Sequence, residues 1–163
     1  MIFKFIKKIF SFFGYVILAF IIVFIMSLIL IPFINDNIAG KVAKQLVEFP
    51  LPDDTEFIEK QSMAGKLTGN GNGMQYLGVI LIKSELSLKE LKKYYSDYYK
   101  ENKSDFIELG VEKQSGKEIK IIEHGSYSFD TDIEENDYYI VYAWGKQGED
   151  FKSIFYDFDL RGH

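Results

Sequence analysis

Residues 12–34, FFGYVILAFIIVFIMSLILIPFI, run for 23 positions without a charge, and 17 of them are Phe, Ile, Leu or Val. A bilayer core of about 30 Å needs roughly 20 helical residues, so this run is long enough to cross with room for tilt. At about −0.3 to −0.6 kcal/mol per such residue near the helix centre, insertion is favoured by several kcal/mol. A soluble core helix of this length would show a polar face, and none is present. A cleaved signal peptide has the same order of basic, apolar and polar segments, but its apolar part is shorter, and NDNIAGK offers no A-x-A site. The expectation is an uncleaved anchor.

The flanks set its direction. Lys4, Lys7 and Lys8 precede the run, and Lys41 and Lys44 follow it. That bias predicts a cytoplasmic N-terminus and a cell-membrane protein whose C-terminal domain lies outside. After the run, NDNIAGKVAKQLVEF reads as a short amphipathic helix. Asn35 or Asp36 is its expected cap and Ile38, Val42, Leu46 and Phe49 lie on one side, unless it continues the membrane helix outward. Pro50 and Pro52 end it. The predicted layout is a basic segment 1–11, a transmembrane helix 12–34, a juxtamembrane helix and proline linker 35–54, and an extracytoplasmic domain 55–163.

Charge limits what that domain can bind. Residues 51–163 carry 14 Lys and Arg against 22 Asp and Glu, a net −8. Without a basic face to neutralise phosphates, nucleic acid is excluded as a partner. Cysteine is absent, which removes disulfides, thiolate nucleophiles and thiolate metal sites.

The pattern from Thr55 onward is mixed. TEFIEKQS, QYLGVILIKS, DFIELGVEK, KEIKIIEH, DYYIVYAWGK and FKSIFYDFDL read as strands. In the second, Tyr76, Ile80 and Ile82 alternate with Leu77, Val79 and Leu81, so both faces are apolar and the strand belongs inside its sheet. SLKELKKYYSDYYKEN reads as a helix with Ser87 and Glu90 as a capping box. This order predicts an α+β fold: an N-terminal single transmembrane helix, then a mostly antiparallel sheet with one main helix packed on a face.

Candidate sites are few. The glycines in KLTGNGNGMQYLGVILIKS, Gly69, Gly71 and Gly73, precede a strand, whereas a dinucleotide fingerprint needs them to precede a helix. Lys83 and Glu90 mimic a kinase order, but nine residues between Gly73 and Lys83 are too few for two strands and a turn. Asn-Gly pairs favour the positive φ of a hairpin, so a turn is the first reading and an exposed binding loop the second. The acidic stretch Asp130, Asp132, Glu134, Glu135, Asp137 departs from a calcium loop, with Glu135 where glycine is needed and Val141 where glutamate is needed. Two histidines, His124 and His163, cannot build a triad or a multi-histidine zinc site. No catalytic, cofactor or metal residue is therefore assigned. Tyr94, Tyr95, Tyr98 and Tyr99 cover more than one face of their helix, so Tyr94 and Tyr99 join the glycines as a candidate binding surface beside their bland role in packing.

Over residues 64–96, AGKLTGNGNGMQYLGVILIKSELSLKELKKYYS, the chain resembles uncharacterised small membrane-anchored proteins of low-GC Gram-positive bacteria. That resemblance implies a bacterial membrane setting and carries over no activity or site residue. Taken together, the expectation is a membrane-anchored protein that contacts the lipid bilayer through residues 12–34 and acts by binding a membrane or envelope protein. One rival is a tethered enzyme using two carboxylates in an enclosed cleft. Another is an accessory subunit of a transporter or signalling complex, with its domain on the cytoplasmic side.

Overall fold

A computed structural model describes residues 2–69, 73–102, 106–133, 137–145, 157 and 159. The chain forms α1 (Ile2–Val47), β1 (Thr55–Gly65), β2 (Gln75–Ser84), α2 (Leu88–Asn102), β3 (Phe106–Lys113) and β4 (Tyr138–Gly145). The strands make one antiparallel sheet in the order β1-β2-β4-β3. This is the α+β arrangement that the sequence predicts: a long apolar N-terminal helix, then an antiparallel sheet carrying a helix.

The helix does not stop where the apolar run stops. α1 is continuous through Pro32 and through Asn35 and Asp36, so neither of the last two is a cap. From Phe10 to Leu30 its apolar side chains are exposed or half-buried and none is buried; Phe20, for example, is 73% exposed. From Ile31 onward the buried positions are Ile31, Asn35, Ala39, Val42, Ala43 and Leu46, spaced three and four apart. One stripe of the same helix has thus become a core face. It ends at Val47, three residues before Pro50, and Asp54, with φ 56°, turns the chain into β1. Packing does not divide at the proline link: the C-terminal part of α1 lies on β1, β2 and β4.

Close approach makes that contact specific. Gly78 sits in β2 under α1, where an added Cβ would lie 2.5 Å from the Ala43 nitrogen. At Gly145, where β4 ends, a Cβ would lie 2.5 Å from Val42 Cγ2. A glycine inside a strand usually weakens it, and here it admits helix backbone instead.

Two cores flank the sheet. On the helix side Ala39, Val42, Leu46, Tyr76, Ile80, Ile82, Leu91, Tyr95, Val111 and Val141 pack together. On the other side Leu77, Val79, Leu81 and Ile140 meet Met63, Leu67, Ile119 and Phe129. β2 is buried on both faces as its alternation predicts, each such side chain contributing about 1.5–3 kcal/mol.

KEIKIIEH is not a strand. Residues 114–133 cross the second face irregularly, with one isolated bridge between Glu118 and Ser128. Buried Gln114 bends the chain by donating from Nε2 to the carbonyls of Gly116 (2.8 Å) and Glu118 (2.7 Å). Of its three isoleucines only Ile119 is deeply buried, at 2% exposure. The expected strand FKSIFYDFDL lies outside the described residues apart from Asp157 and Asp159.

Candidate functional site

β1 and β2 form the expected antiparallel hairpin, joined through residues 66–74, with Gly65 opposite Gln75. Leu67 and Met74, at the two ends of the connection, are buried in opposite cores. Between them the stem is tightly bonded. Gln75 Oε1 accepts from the amides of Leu67 (2.7 Å) and Thr68 (2.8 Å), and its Nε2 donates to Thr68 Oγ1.

A second clamp arrives from far along the chain. The Gly69 amide donates to Glu123 Oε2 at 2.7 Å, and the His124 ring nitrogen Nε2 lies 2.8 Å from the Gly69 carbonyl. The amides of Glu123 and His124 both donate to the Leu67 carbonyl. Gly69 has φ +66°, the left-handed conformation that glycine accepts without a steric penalty. Gly73 is half-buried beside Met74, whose amide donates to Asp157 Oδ1 at 2.8 Å. Gly71 lies outside the described residues.

Beside this stem is an open groove of about 590 Å³. Tyr142 and Trp144 line it with aromatic surface, Thr68 and Gln75 belong to the stem, and Lys120, Glu108 and Glu112 add charges of both signs. Tyr142 lies across Gly110 on the neighbouring strand, filling the space that a Cβ there would need. Burial, with Glu112 and Glu108 nearby, pushes the Tyr142 hydroxyl above its ordinary range, so at neutral pH it remains a hydrogen-bond donor. The groove thus offers aromatic rings among polar and charged side chains of both signs.

The α2 tyrosines lie elsewhere. Tyr94 donates to the Pro50 carbonyl at 3.1 Å, and Tyr99 donates to the Phe106 carbonyl at 2.9 Å while stacking on its ring. Tyr98 meets Phe49 at 4.6 Å between ring centroids. These contacts rivet α2 to the end of α1 and to the start of β3, and both Tyr94 and Tyr99 are half-buried. A shallower groove of about 430 Å³ runs along Glu90, Tyr94, Asp97 and Tyr98. Neither of these two grooves is lined by both Gly69 and Tyr94.

The carboxylates with displaced ionisation serve the scaffold. Burial pushes Glu59 up, but bonds from Asp130, Gln61 and Thr131 outweigh it and hold the carboxyl below its ordinary range. Glu90 is lowered by the Ser87 hydroxyl and amide, which complete the predicted capping box. In the acidic stretch, Asp132 pairs with Lys117 at 2.8 Å and Asp137 with Lys83 at 3.4 Å. Glu134 and Glu135 lie outside the described residues. Among the described residues no group of three His, Asp or Glu is placed to hold a metal ion.

What sequence reasoning missed is the Glu123–His124 clamp and the Trp144 groove. His124 reads as a turn residue, since a partner 55 positions away leaves no local signal. No family model matches the chain, and no match was found among curated proteins or solved structures.

Proposed function

We propose that this chain is a single-pass membrane protein whose anchor helix is built into the domain it carries, and that the domain acts by binding a component of the membrane or envelope. The observation that carries this reading is the single course of α1 from an exposed apolar surface into the sheet core. One helix is long and apolar enough to span a membrane, and only 6% of its most apolar window is buried. A soluble core helix would be covered there, and water is a costly solvent for so many exposed Phe and Ile side chains. Cleavage after the apolar run would cut through buried Asn35 and Ala39, so an uncleaved anchor fits better than a signal peptide.

Binding is favoured over catalysis because Glu59 and Glu90, the carboxylates held below their ordinary range, are committed to a loop clamp and a helix cap. The open aromatic groove beside the glycine stem is the binding surface. Orientation follows from the three lysines before the run against two after it, with the domain outside.

Alkaline extraction of native membranes, combined with single-cysteine labelling of the cysteine-free chain, tests this reading. The intact chain should stay with the membrane, and a Ser115→Cys variant, at an exposed position, should react with an impermeant reagent added from outside. Recovery in the aqueous fraction, or of a chain shortened past residue 34, would contradict the anchor. Labelling only after lysis would contradict the orientation.

A further inference from the structure

We infer that the outer edge of β3 takes an extended segment of another protein as an added strand, and that a Lys or Arg of that segment seats over Tyr142 between Glu108 and Glu112. This surface lies beyond the groove proposed above, although Tyr142 and Glu112 line both. It holds whether or not α1 lies in lipid.

The ladder fixes which backbone groups face outward. β3 is the last strand of the sheet and pairs only with β4 among the described residues. The Gln114 amide donates to the Tyr138 carbonyl at 2.9 Å, one step beyond the Lys113–Tyr139 pair. Antiparallel pairs alternate between bonded and non-bonded, so Glu112, Gly110 and Glu108 turn their amides and carbonyls inward to β4. Leu109, Val111 and Lys113 therefore turn theirs outward. Among the described residues no backbone bond reaches those outward groups, whereas at the start of the strand the Phe106 carbonyl is already taken by the Tyr99 hydroxyl. An open edge of this kind is a template for another strand.

Space for one is present. A crevice of about 380 Å³ is lined by Lys92, Tyr95 and Ser96 of α2, by residues 109–112 of β3 and by Tyr142. Leu109 and Val111 belong to the core on the helix side, while Tyr142 crosses Gly110 on the other face of the sheet. The crevice therefore wraps round the outer edge of β3. A residue of the added strand paired with Gly110 takes a non-bonded position, where Cα atoms approach to about 4.5 Å. Its side chain falls on the Tyr142 face, with Glu108 and Glu112 at the two diagonal positions, about 7–8 Å away. Both carboxylates are exposed, and neither has an ion-pair partner among the described residues. A cation there meets one aromatic ring and two negative charges. The same charges speak against a second copy of this chain. Pairing β3 with itself about Gly110 or about Val111 sets Glu108 of one copy directly or diagonally across from Glu112 of the other, and like charges so placed repel.

The test uses the full-length protein in lipid nanodiscs and short Thr- and Val-rich peptides with a central Lys. Amide signals followed by NMR should shift at residues 108–113 and at Tyr142, and exchange of the outward Leu109 and Val111 amides should slow. Methylating the peptide amides that face β3 should weaken binding about tenfold, the worth of a hydrogen bond or two, while methylating those that face away should not. Glu108→Lys combined with Glu112→Lys, both at exposed positions, should leave the thermal midpoint in place and turn the preference from a central Lys to a central Glu. Absence of binding, or shifts centred on Thr68 and Trp144 instead, would overturn the added strand and leave the stem groove standing. Equal loss from methylation on either side would overturn it too. A preference unmoved by the charge swap would overturn the cationic occupant.

Discussion

The two halves of α1 are one helix with two kinds of surface. From Phe10 to Leu30 most side chains are large, apolar and exposed, and none is buried. From Ile31 to Leu46 a single stripe is buried, with Ala39 and Ala43 at its centre and one polar residue, Asn35, fully enclosed. The first half needs only an apolar medium, so composition suffices. The second must fit a particular surface, so shape matters, and Gly78 and Gly145 are shaped to receive it. Because no break separates the halves, a tilt of the membrane segment is a tilt of the domain.

Substitutions that spoil fit should damage only the second half. Gly78→Val has the largest expected effect, because its side chain would overlap the Ala43 backbone, which cannot move aside as a flexible side chain can. A loss of about 3 kcal/mol is expected, read as a lowered midpoint in denaturant titration, while membrane insertion is unchanged. Loss of insertion with unchanged domain stability would break the comparison.

Asn35→Ala comes next. It removes the bonds from Tyr76 and to Asp159, the latter at 3.0 Å, and a cost of about 2 kcal/mol is expected. Ile22→Leu, one step into the lipid half, should leave the same titration unmoved.

Glu59→Gln probes the side of the sheet that α1 does not cover, and a smaller loss is expected there. The folded carboxyl is held below its ordinary value of 4.5, so its contribution is complete above that value and is lost as pH falls through the lower folded value. Melting temperatures of the native and Glu59→Gln proteins should differ at pH 7 and converge as acidification carries the pH from 4.5 through the lower folded value. A gap that persists in acid would mean that packing, not charge, makes the clamp.

Tyr95→Phe should have the smallest effect. The Tyr95 hydroxyl is buried with no hydrogen-bond partner among the described residues, and burial, with Tyr94 beside it, pushes its ionisation far up. Removing that oxygen should leave stability unchanged or raise it by up to about 1 kcal/mol in the same titration.

The parts of this fold that were legible in the sequence are those with one dominant local signal. The long apolar helix shows because 23 positions lack any polar face, β2 because both alternating sets are apolar, and α2 because Ser87 and Glu90 satisfy each other within one turn. The rest depends on partners distant in sequence. Ile119, Ile121 and Ile122 imitate a strand, yet the Gln114 side chain holds the backbone in a different path. Gly78 reads as a weak point in a strand until the helix that needs the space is known. Gly69 carries a turn signal that proved real, but its clamp by Glu123 and His124 has no trace in local composition. At the helix junction, Asn35 reads as a cap because asparagine favours that role. Its buried partners Tyr76 and Asp159 lie 41 and 124 residues away, and they keep it inside the helix instead.

The central claim is that α1 passes unbroken from lipid into the domain core. A nitroxide scan along residues 12–47 in vesicles, reading oxygen accessibility position by position, tests it most directly. The expected result is high accessibility at every position through Leu30, then oscillation with a period of about 3.6 residues, with minima at 31, 35, 39, 42–43 and 46. A loss of helical periodicity between 34 and 37, or uniform accessibility beyond 35, would contradict it.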